Sequence, residues 1–445
     1  MFLMRNFWSR TVLVIALSAG MLLTPRSAPG YSVLAHEAAV DALWTDVIVP
    51  VLKQRFPDAS PEQLLEARAY AYGGSVIQDL GYYPFGSQLF TNLVHYVRSG
   101  DFVSSLLRHA RDVNEYAFAI GALAHYASDN SGHPKAVNRV VPLMYPKVRA
   151  EYGDEVLYVE SRARHVMVEF AFDVSQVARG MYVSSTYRDF IGFEVAKRAL
   201  EEAFRETYGL EVKDLFLDED LAIGSYRRAV GTTIPQLTEL AWREKQDEIL
   251  KLNPKIERSA FVYPLTPLEY DEAFGTTYRK PGMLARFLMF VAKIVPKVGP
   301  FRPLAFEPLT PEAEKLLLDS LLASRNMYRT SLAGLKSGKL ALADTDFDTG
   351  QPSEHSENPL AIETYAKLLE QLKKNKFAKV SPALRADLNR YYAAPKDAQT
   401  QDRKARKQQE KAMRHLAELN TATAAVPVAR DAAASPSTRE SGPGR

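Results

Sequence analysis

Beyond its first thirty positions the chain carries apolar residues three and four apart through five stretches, 60–80, 104–128, 159–180, 192–207 and 233–251, each rich in Ala, Leu, Val and aromatics. That period predicts helices with one face turned to a core. In the second stretch the stripe Leu106, Ala110, Val113, Ala117, Ile120, Ala124 alternates steps of four and three. No sustained apolar–polar alternation bounded by hairpin turns occurs, so strands are at most minor. Thr310-Pro311-Glu312 marks a further helix entry, a capping hydroxyl followed by proline in the first turn. The predicted fold class is all-α.

Four segments depart from this pattern. Residues 1–30 hold Arg5 and Arg10, then the apolar run Thr11 to Leu23, then Ala28-Pro29-Gly30 before Tyr31. A basic start, a short apolar run and a small-x-small end form the layout of a secretory signal, cut before Tyr31. The expectation is therefore an exported protein, periplasmic or secreted. Residues 281–298 are more apolar, from Met283 to Val295 with Arg286, Lys293 and Lys297; a buried helix is favoured there over one lying on a membrane surface. Residues 341–359 (ALADTDFDTGQPSEHSENP) read as an exposed loop or linker. From about Lys396 the chain turns charged and then Ala/Pro/Ser/Thr-rich, the composition of a disordered tail. With Pro254 as a boundary, the expected organisation is a signal peptide over 1–30, a catalytic domain over 31–250, a helical accessory region of unassigned role over 251–395, and a tail over 396–445.

Composition narrows the chemistry. The 445 residues are 46% hydrophobic and 24% charged, ordinary for a globular protein and ample for a sizeable core. There is no cysteine, which excludes disulfide scaffolds, thiol catalysis and thiolate metal sites, so a metal here must sit on imidazole and carboxylate. Residues 31–250 carry 22 Lys and Arg against 31 Asp and Glu, and residues 251–445 the reverse, 31 against 22. An acidic first half argues weakly against a polyanion as the natural partner, and bound divalent cations would offset much of that charge.

Six of the eight histidines fall between residues 36 and 165. His125 and Asp129, and likewise His165 and Glu169, are i, i+4 pairs inside helical stretches, so each pair shares one face and can grip one metal ion. His133 lies between Gly132 and Pro134, where a helix end is expected, and Asp79 is expected to project from the end of an apolar helix next to Gly81. His109 falls on the far side of its predicted helix from His125. His355 and His415 lie in the linker and the tail, where solvation is the default. Each pair alone is weak evidence for a metal, since such pairs are usually surface hydrogen bonds. The set as a whole is specific.

The order Tyr31, His36, Asp79, His95, His125-x3-Asp129, His133, His165-x3-Glu169, carried by the strings YSVLAHEA, GGSVIQDLGYYPFG, LVHYVRSGDF, GALAHYASDNSGHP and HVMVEF, resembles the zinc-dependent phospholipase C family. That family shares its all-helical fold with single-strand-specific zinc nucleases. The resemblance covers roughly residues 31–210 and implies three zinc ions in a cleft between helices. Carried over by residue, Asp79, His95, His125 and Asp129 would hold one zinc, and His133, His165 and Glu169 a second. His36, Asp129 as a bridge, and the free amino group and carbonyl of Tyr31 would hold the third. Tyr31 stands where the family has tryptophan, and its role requires the same cut that the signal layout predicts. Only three residues separate Asp129 from His133, fewer than is usual in the family, so the second zinc position is expected to be reshaped.

The implied reaction is hydrolysis of a phosphodiester by metal-activated water, with Asp79 as general base or water-orienting carboxylate. Tyr82, Tyr83 and Phe85 follow Asp79 and are candidates to line the cleft for substrate. Aromatic faces suit a quaternary ammonium head group or a nucleobase, and equally suit packing. Phospholipid at a membrane surface is the first expected partner and single-stranded nucleic acid the alternative substrate. A purely structural zinc cluster in a non-catalytic exported protein is the third reading.

Overall fold

The computed structural model describes residues 33–182, 193–230, 234–262, 307–394 and 403–422. The signal-like residues 1–30, Tyr31 and the segment 281–298 lie outside the described residues. The described chain is helical, and its one extended pairing is an isolated bridge between Thr345 and Pro352. No helix among the described residues is long and apolar enough to cross a membrane.

The helices that build the site are α1 (Val33–Asp41), α2 (Val49–Arg55), α3 (Pro61–Val76), α4 (Gln88–Tyr96), α5 (Ser99–His109) and α6 (Val113–Gly132), followed by α7 (Asn138–Met144) and, further on, α8 (Arg162–Ala178). Each main helix start follows from its sequence. Ser60 accepts from Gln63 N–H in a capping box before Pro61, and the Asp112 side chain accepts from Glu115 N–H at the head of α6. Such caps satisfy amide groups that the first helical turn leaves open. Asp112 also corrects the pattern-based reading: the apolar stripe of 104–128 belongs to two helices broken at 110–112, so His109 and His125 lie on different helices. His109 pairs with Glu206 at 2.8 Å, away from the other histidines.

α3 and α6 form the most extensive helix pair among the described elements. They approach through glycine: a Cβ on Gly74 would lie 1.8 Å from the Phe118 carbonyl oxygen, and one on Gly121 would lie 1.9 Å from that of Ala71. This near-contact of backbones sets the registry of the site, because it carries Ser75 and Gln78 onto α6.

After Gly132 the chain does not turn, as His133-Pro134 had implied, but runs through a π-helical stretch, His133–Val137, straight into α7. Pro134 cannot donate a backbone hydrogen bond, and the widened turn takes it up without ending the helix.

The C-terminal half shares this core. Helix α9 (Pro311–Lys336) begins, as expected, with the Thr310 hydroxyl accepting from Ala313 N–H, and packs on α6, where the Tyr328 hydroxyl donates to the Ile120 carbonyl at 3.1 Å. Helix α10 (Pro359–Lys374) packs on α4. The boundary expected near Pro254 therefore does not separate two cores, and the helices expected to be accessory lie directly on those that bear the site.

Two further expectations are corrected. The tail contains α11 (Arg403–Thr421), whose Ala412, Leu416 and Leu419 are buried against α10; their spacing of four and three is a helical stripe hidden among charges. His415 is buried with them. Segment 341–359, expected to be exposed, has Asp346, Phe347, Asp348, Ser353 and Ser356 all buried.

Candidate metal centre

Eight side chains from six elements of the chain meet in the interior. His36 comes from α1, Asp79 from a 3-10 turn (Ile77–Tyr82), and His95 from the last turn of α4. His125 and Asp129 lie on α6, His133 opens the π-helical stretch, and His165 and Glu169 lie on α8. All eight are buried. Their ligand atoms form three groups, each within 4.8 Å: His36 with His125 and Asp129, Asp79 with His95 and His125, and His133 with His165 and Glu169. Tyr31 alone of the predicted ligands lies outside the described residues.

Asp129 touches two of these groups. Its Oδ1 is 3.6 Å from His36 Nε2, while its Oδ2 is 3.1 Å from His125 Nε2 and 3.4 Å from His95 Nε2. His125 Nε2 is 3.3 Å from His95 Nε2. Two imidazole nitrogens with a carboxylate oxygen this close, all facing inward, is the arrangement of ligands around a cation.

The other face of each ring is fixed. His95 Nδ1 bonds the Thr91 carbonyl at 2.8 Å and His125 Nδ1 bonds that of Ser75 at 2.9 Å. Both rings thereby aim a lone pair on Nε2 at the centre. His165 is held the opposite way round, Nε2 to the Val156 carbonyl at 2.8 Å, which leaves Nδ1 inward.

His125, Asp129 and His133 stand at successive steps of four on one continuous helix, about 6 Å of rise per step, so one ridge serves all three groups. Asp79 is not at a free helix end: it is buried, 3.4 Å from His95 Nε2 and 4.0 Å from His36 Nε2.

A cation fits this donor set. Asp79 Oδ1, both carboxylate oxygens of Asp129, and His165 Nδ1 are buried without a hydrogen-bond partner. Polar atoms in that state are costly unless something binds them, and carboxylate and imidazole donors distributed over the three groups, with no sulfur, suit zinc.

Electrostatics agree. Burial holds His36, His133 and His165 down at about 3, about 4 and about 3, neutral and ready to ligate at physiological pH. Burial pulls His95 down as well, but the Asp129 and Asp79 carboxylates beside it outweigh that and raise it to about 9. Burial would raise Asp129, yet the charge of His125 and contacts from His125, His95 and His36 hold it well below the usual carboxylate range. Burial raises Asp79.

These shifts fix a pH profile for the chelator-stripped protein. The depressed histidines contribute stability that is present above pH 6.5 and lost as pH falls through 4 to 3. His95 contributes stability that is full below 6.5 and lost as pH rises through 9. The buried carboxyls of Glu37 and Asp173, raised by burial, Asp173 to about 8, also cost stability as pH rises, so the melting temperature of stripped protein is expected to fall by at least about 5 °C from pH 6.5 to 9. A profile rising steadily from pH 4 to 9 in a thermal-melt series would contradict the geometry.

Residues 35–217 match the family model for zinc-dependent phospholipase C. Over that segment the chain is similar to this family. The segment contains every one of the eight side chains, from His36 to Glu169. Among curated proteins and among solved structures nothing matches the chain. Zinc-dependent phospholipase C domains are all-helical, as the described residues are.

The candidate substrate residues are placed unevenly around this centre. Tyr82 is buried against His95 and Tyr158, ring centres 6.2 and 6.1 Å away, with its hydroxyl lacking a hydrogen bond. Tyr83 is stacked on Tyr226 at 3.7 Å. Phe85 is half-buried with a left-handed φ of 66°, a conformation that costs a non-glycine residue about 1 kcal/mol or more.

Two residues at the centre were missed by the sequence reading. Phe347 packs edge-on against His95 at 5.4 Å, and Asp348 lies 3.7 Å from His133 Nδ1. The available signal was the alternation of three acids in DTDFDTG, which reads equally well as a solvated turn.

Proposed function

We propose that the chain is an exported phospholipase C that binds three zinc ions and hydrolyses the phosphodiester of a phospholipid, releasing the phosphorylated head group. The observation that carries this is the convergence of His36, Asp79, His95, His125, Asp129, His133, His165 and Glu169 into three buried groups, two of them sharing His125, within the segment that matches the zinc-dependent phospholipase C family model. In this reading Asp79, His95, His125 and Asp129 hold one ion and His133, His165 and Glu169 the second. His36 and Asp129, with the freed N-terminus of Tyr31, hold the third.

Bound zinc supplies Lewis acidity there, lowering the pKa of water toward neutrality and offsetting the negative charge of a phosphodiester. The residues supply orientation and proton handling. His95 gives up its proton as the site loads, since a ligating imidazole must be neutral. Asp79, whose proton affinity burial has raised, takes the proton of the attacking water at Oδ1, the oxygen without a hydrogen bond. Tyr82 offers an unpaired hydroxyl to the substrate, and Phe85, strained on the loop after it, offers an aromatic face to the head group. The strain is consistent with a placement that packing alone does not require.

Metal analysis and parallel assays on phosphatidylcholine vesicles and single-stranded DNA test the reading. About three zinc ions per chain with diacylglycerol released is the expected result. Nucleotides released instead would move the protein to the nuclease branch. Zinc without hydrolysis of either substrate would make the cluster structural, and absence of zinc would refute the centre.

A further inference from the structure

One wall of the metal centre comes from outside the matched domain. Segment 343–358 is tied down beside α4 and α6. Tyr126 donates from its hydroxyl to the Ala343 carbonyl at 2.9 Å, the Ser99 hydroxyl donates to the Thr345 carbonyl at 2.7 Å, and Phe347 N–H donates to the His95 carbonyl at 3.1 Å. The next residue, Asp348, is buried. Its backbone carbonyl accepts from Asn138 Nδ2 at 2.7 Å and its Oδ2 from Tyr158 N–H at 3.1 Å. Its Oδ1, which also accepts from Tyr158 N–H at 3.4 Å, faces His133 Nδ1 at 3.7 Å, and this nitrogen is buried with no hydrogen bond.

Three of the other ligand histidines, His95, His125 and His165, have their outward nitrogen fixed by a backbone carbonyl. His133 has no such carbonyl and has Asp348 in that position instead. We propose that Asp348 is a positioning residue for the His133–His165–Glu169 metal position. Its carboxylate accepts the Nδ1–H of His133, which fixes the tautomer and leaves Nε2 to face the metal. A carboxylate behind a ligating imidazole both orients the ring and makes it a stronger donor. The other two acids of the loop do different work. Asp344 accepts from Asp101 N–H at 2.9 Å, and Asp346 accepts from the amides of Asp348 and Thr349 within the loop. Only Asp348 of the three faces a ligand histidine. The inference rests on the zinc reading above.

The test uses the full chain and zinc itself. Zinc affinity and stoichiometry are measured by chelator competition for wild type, Asp348→Asn and Asp344→Asn, with the visible absorption of the cobalt-loaded proteins alongside. Asp348→Asn keeps the shape and an acceptor for Tyr158, and is expected to weaken one zinc at least about tenfold while the others stay bound, with a changed cobalt spectrum. Asp344→Asn replaces the charged acceptor of the Asp101 amide with a neutral one, in the same loop but away from His133, and is expected to leave zinc affinity within about twofold. Asp348→Ser replaces Asp348→Asn should that variant be insoluble. Wild-type zinc affinity in the Asp348 variant overturns the inference, as does equal zinc loss in Asp344→Asn, which would mean that the loop acts only by packing. Wild-type protein that binds no zinc would instead overturn the zinc reading itself, and this inference with it.

Discussion

Asp129→Asn is expected to lose metal from two positions at once and to reduce hydrolysis about a thousandfold. The carboxylate reaches His36 through Oδ1 and both His95 and His125 through Oδ2, at 3.1 to 3.6 Å, so it belongs to both of the groups that share His125. Asparagine has the same shape but one oxygen in place of two and no charge. Two further effects act in the same direction. With the carboxylate gone, three buried imidazoles face each other without the negative charge that offsets a cation, and bringing a divalent ion into that interior becomes more costly. Losing the polarisation of water and substrate removes several kcal/mol of transition-state stabilisation, and each 1.4 kcal/mol is a factor of ten in rate. Elemental analysis should therefore show about two fewer zinc ions per chain, with the His133–His165–Glu169 position still occupied. The effect should exceed that of Glu169→Gln, which touches one position only. Full zinc content in Asp129→Asn would mean that the two groups do not share this residue.

Much of this centre was legible because helical geometry converts sequence spacing directly into shared faces. His125 with Asp129 and His165 with Glu169 needed only the step of four, and the family resemblance supplied the partners that come from distant helices. What could not be read was anything set by contact between segments far apart in the chain. The loop containing Phe347 and Asp348 has the composition of a solvated turn. It is buried because Asp344 pairs with the Asp101 amide, Asp346 with amides of its own loop, and Asp348 with Tyr158, so its acids are satisfied internally rather than by water. The buried stripe of Ala412, Leu416 and Leu419 was obscured by the lysines and arginines around it, which keep their charges outward while the small apolar face packs. Conversely, the stripe from Leu106 to Ala124 suggested one helix because the break at 110–112 happens to preserve its period; the capping Asp112 was the local sign that a new helix begins.

The glycines at the α3–α6 crossing carry the second large effect. Gly121→Ala is expected to destabilise the protein by about 3 kcal/mol or more and to weaken zinc binding with it. An alanine Cβ at this position would sit 1.9 Å from the Ala71 carbonyl oxygen and 2.9 Å from the Ser75 amide nitrogen. Both obstacles are backbone, so no side-chain rotation relieves the clash, and the two helices must move apart along their longest shared contact. Overpacking a tight core by one methyl costs 1–3 kcal/mol when side chains can adjust, which makes about 3 kcal/mol a floor here. Separation also stretches the 2.9 Å bond from His125 Nδ1 to the Ser75 carbonyl, and loss of such an orienting bond lowers metal affinity 10- to 100-fold. Gly334→Ala is the matched comparison. It lies within α9, its new Cβ would be 3.4 Å from the nearest atom, and the better helix propensity of alanine should leave the protein as stable or slightly more so. Thermal melts of the two variants, with zinc affinity measured on each, separate the mechanisms. A Gly121→Ala protein that melts with wild type would show that α3 and α6 do not approach through glycine, and the orientation of His125 would then need another cause.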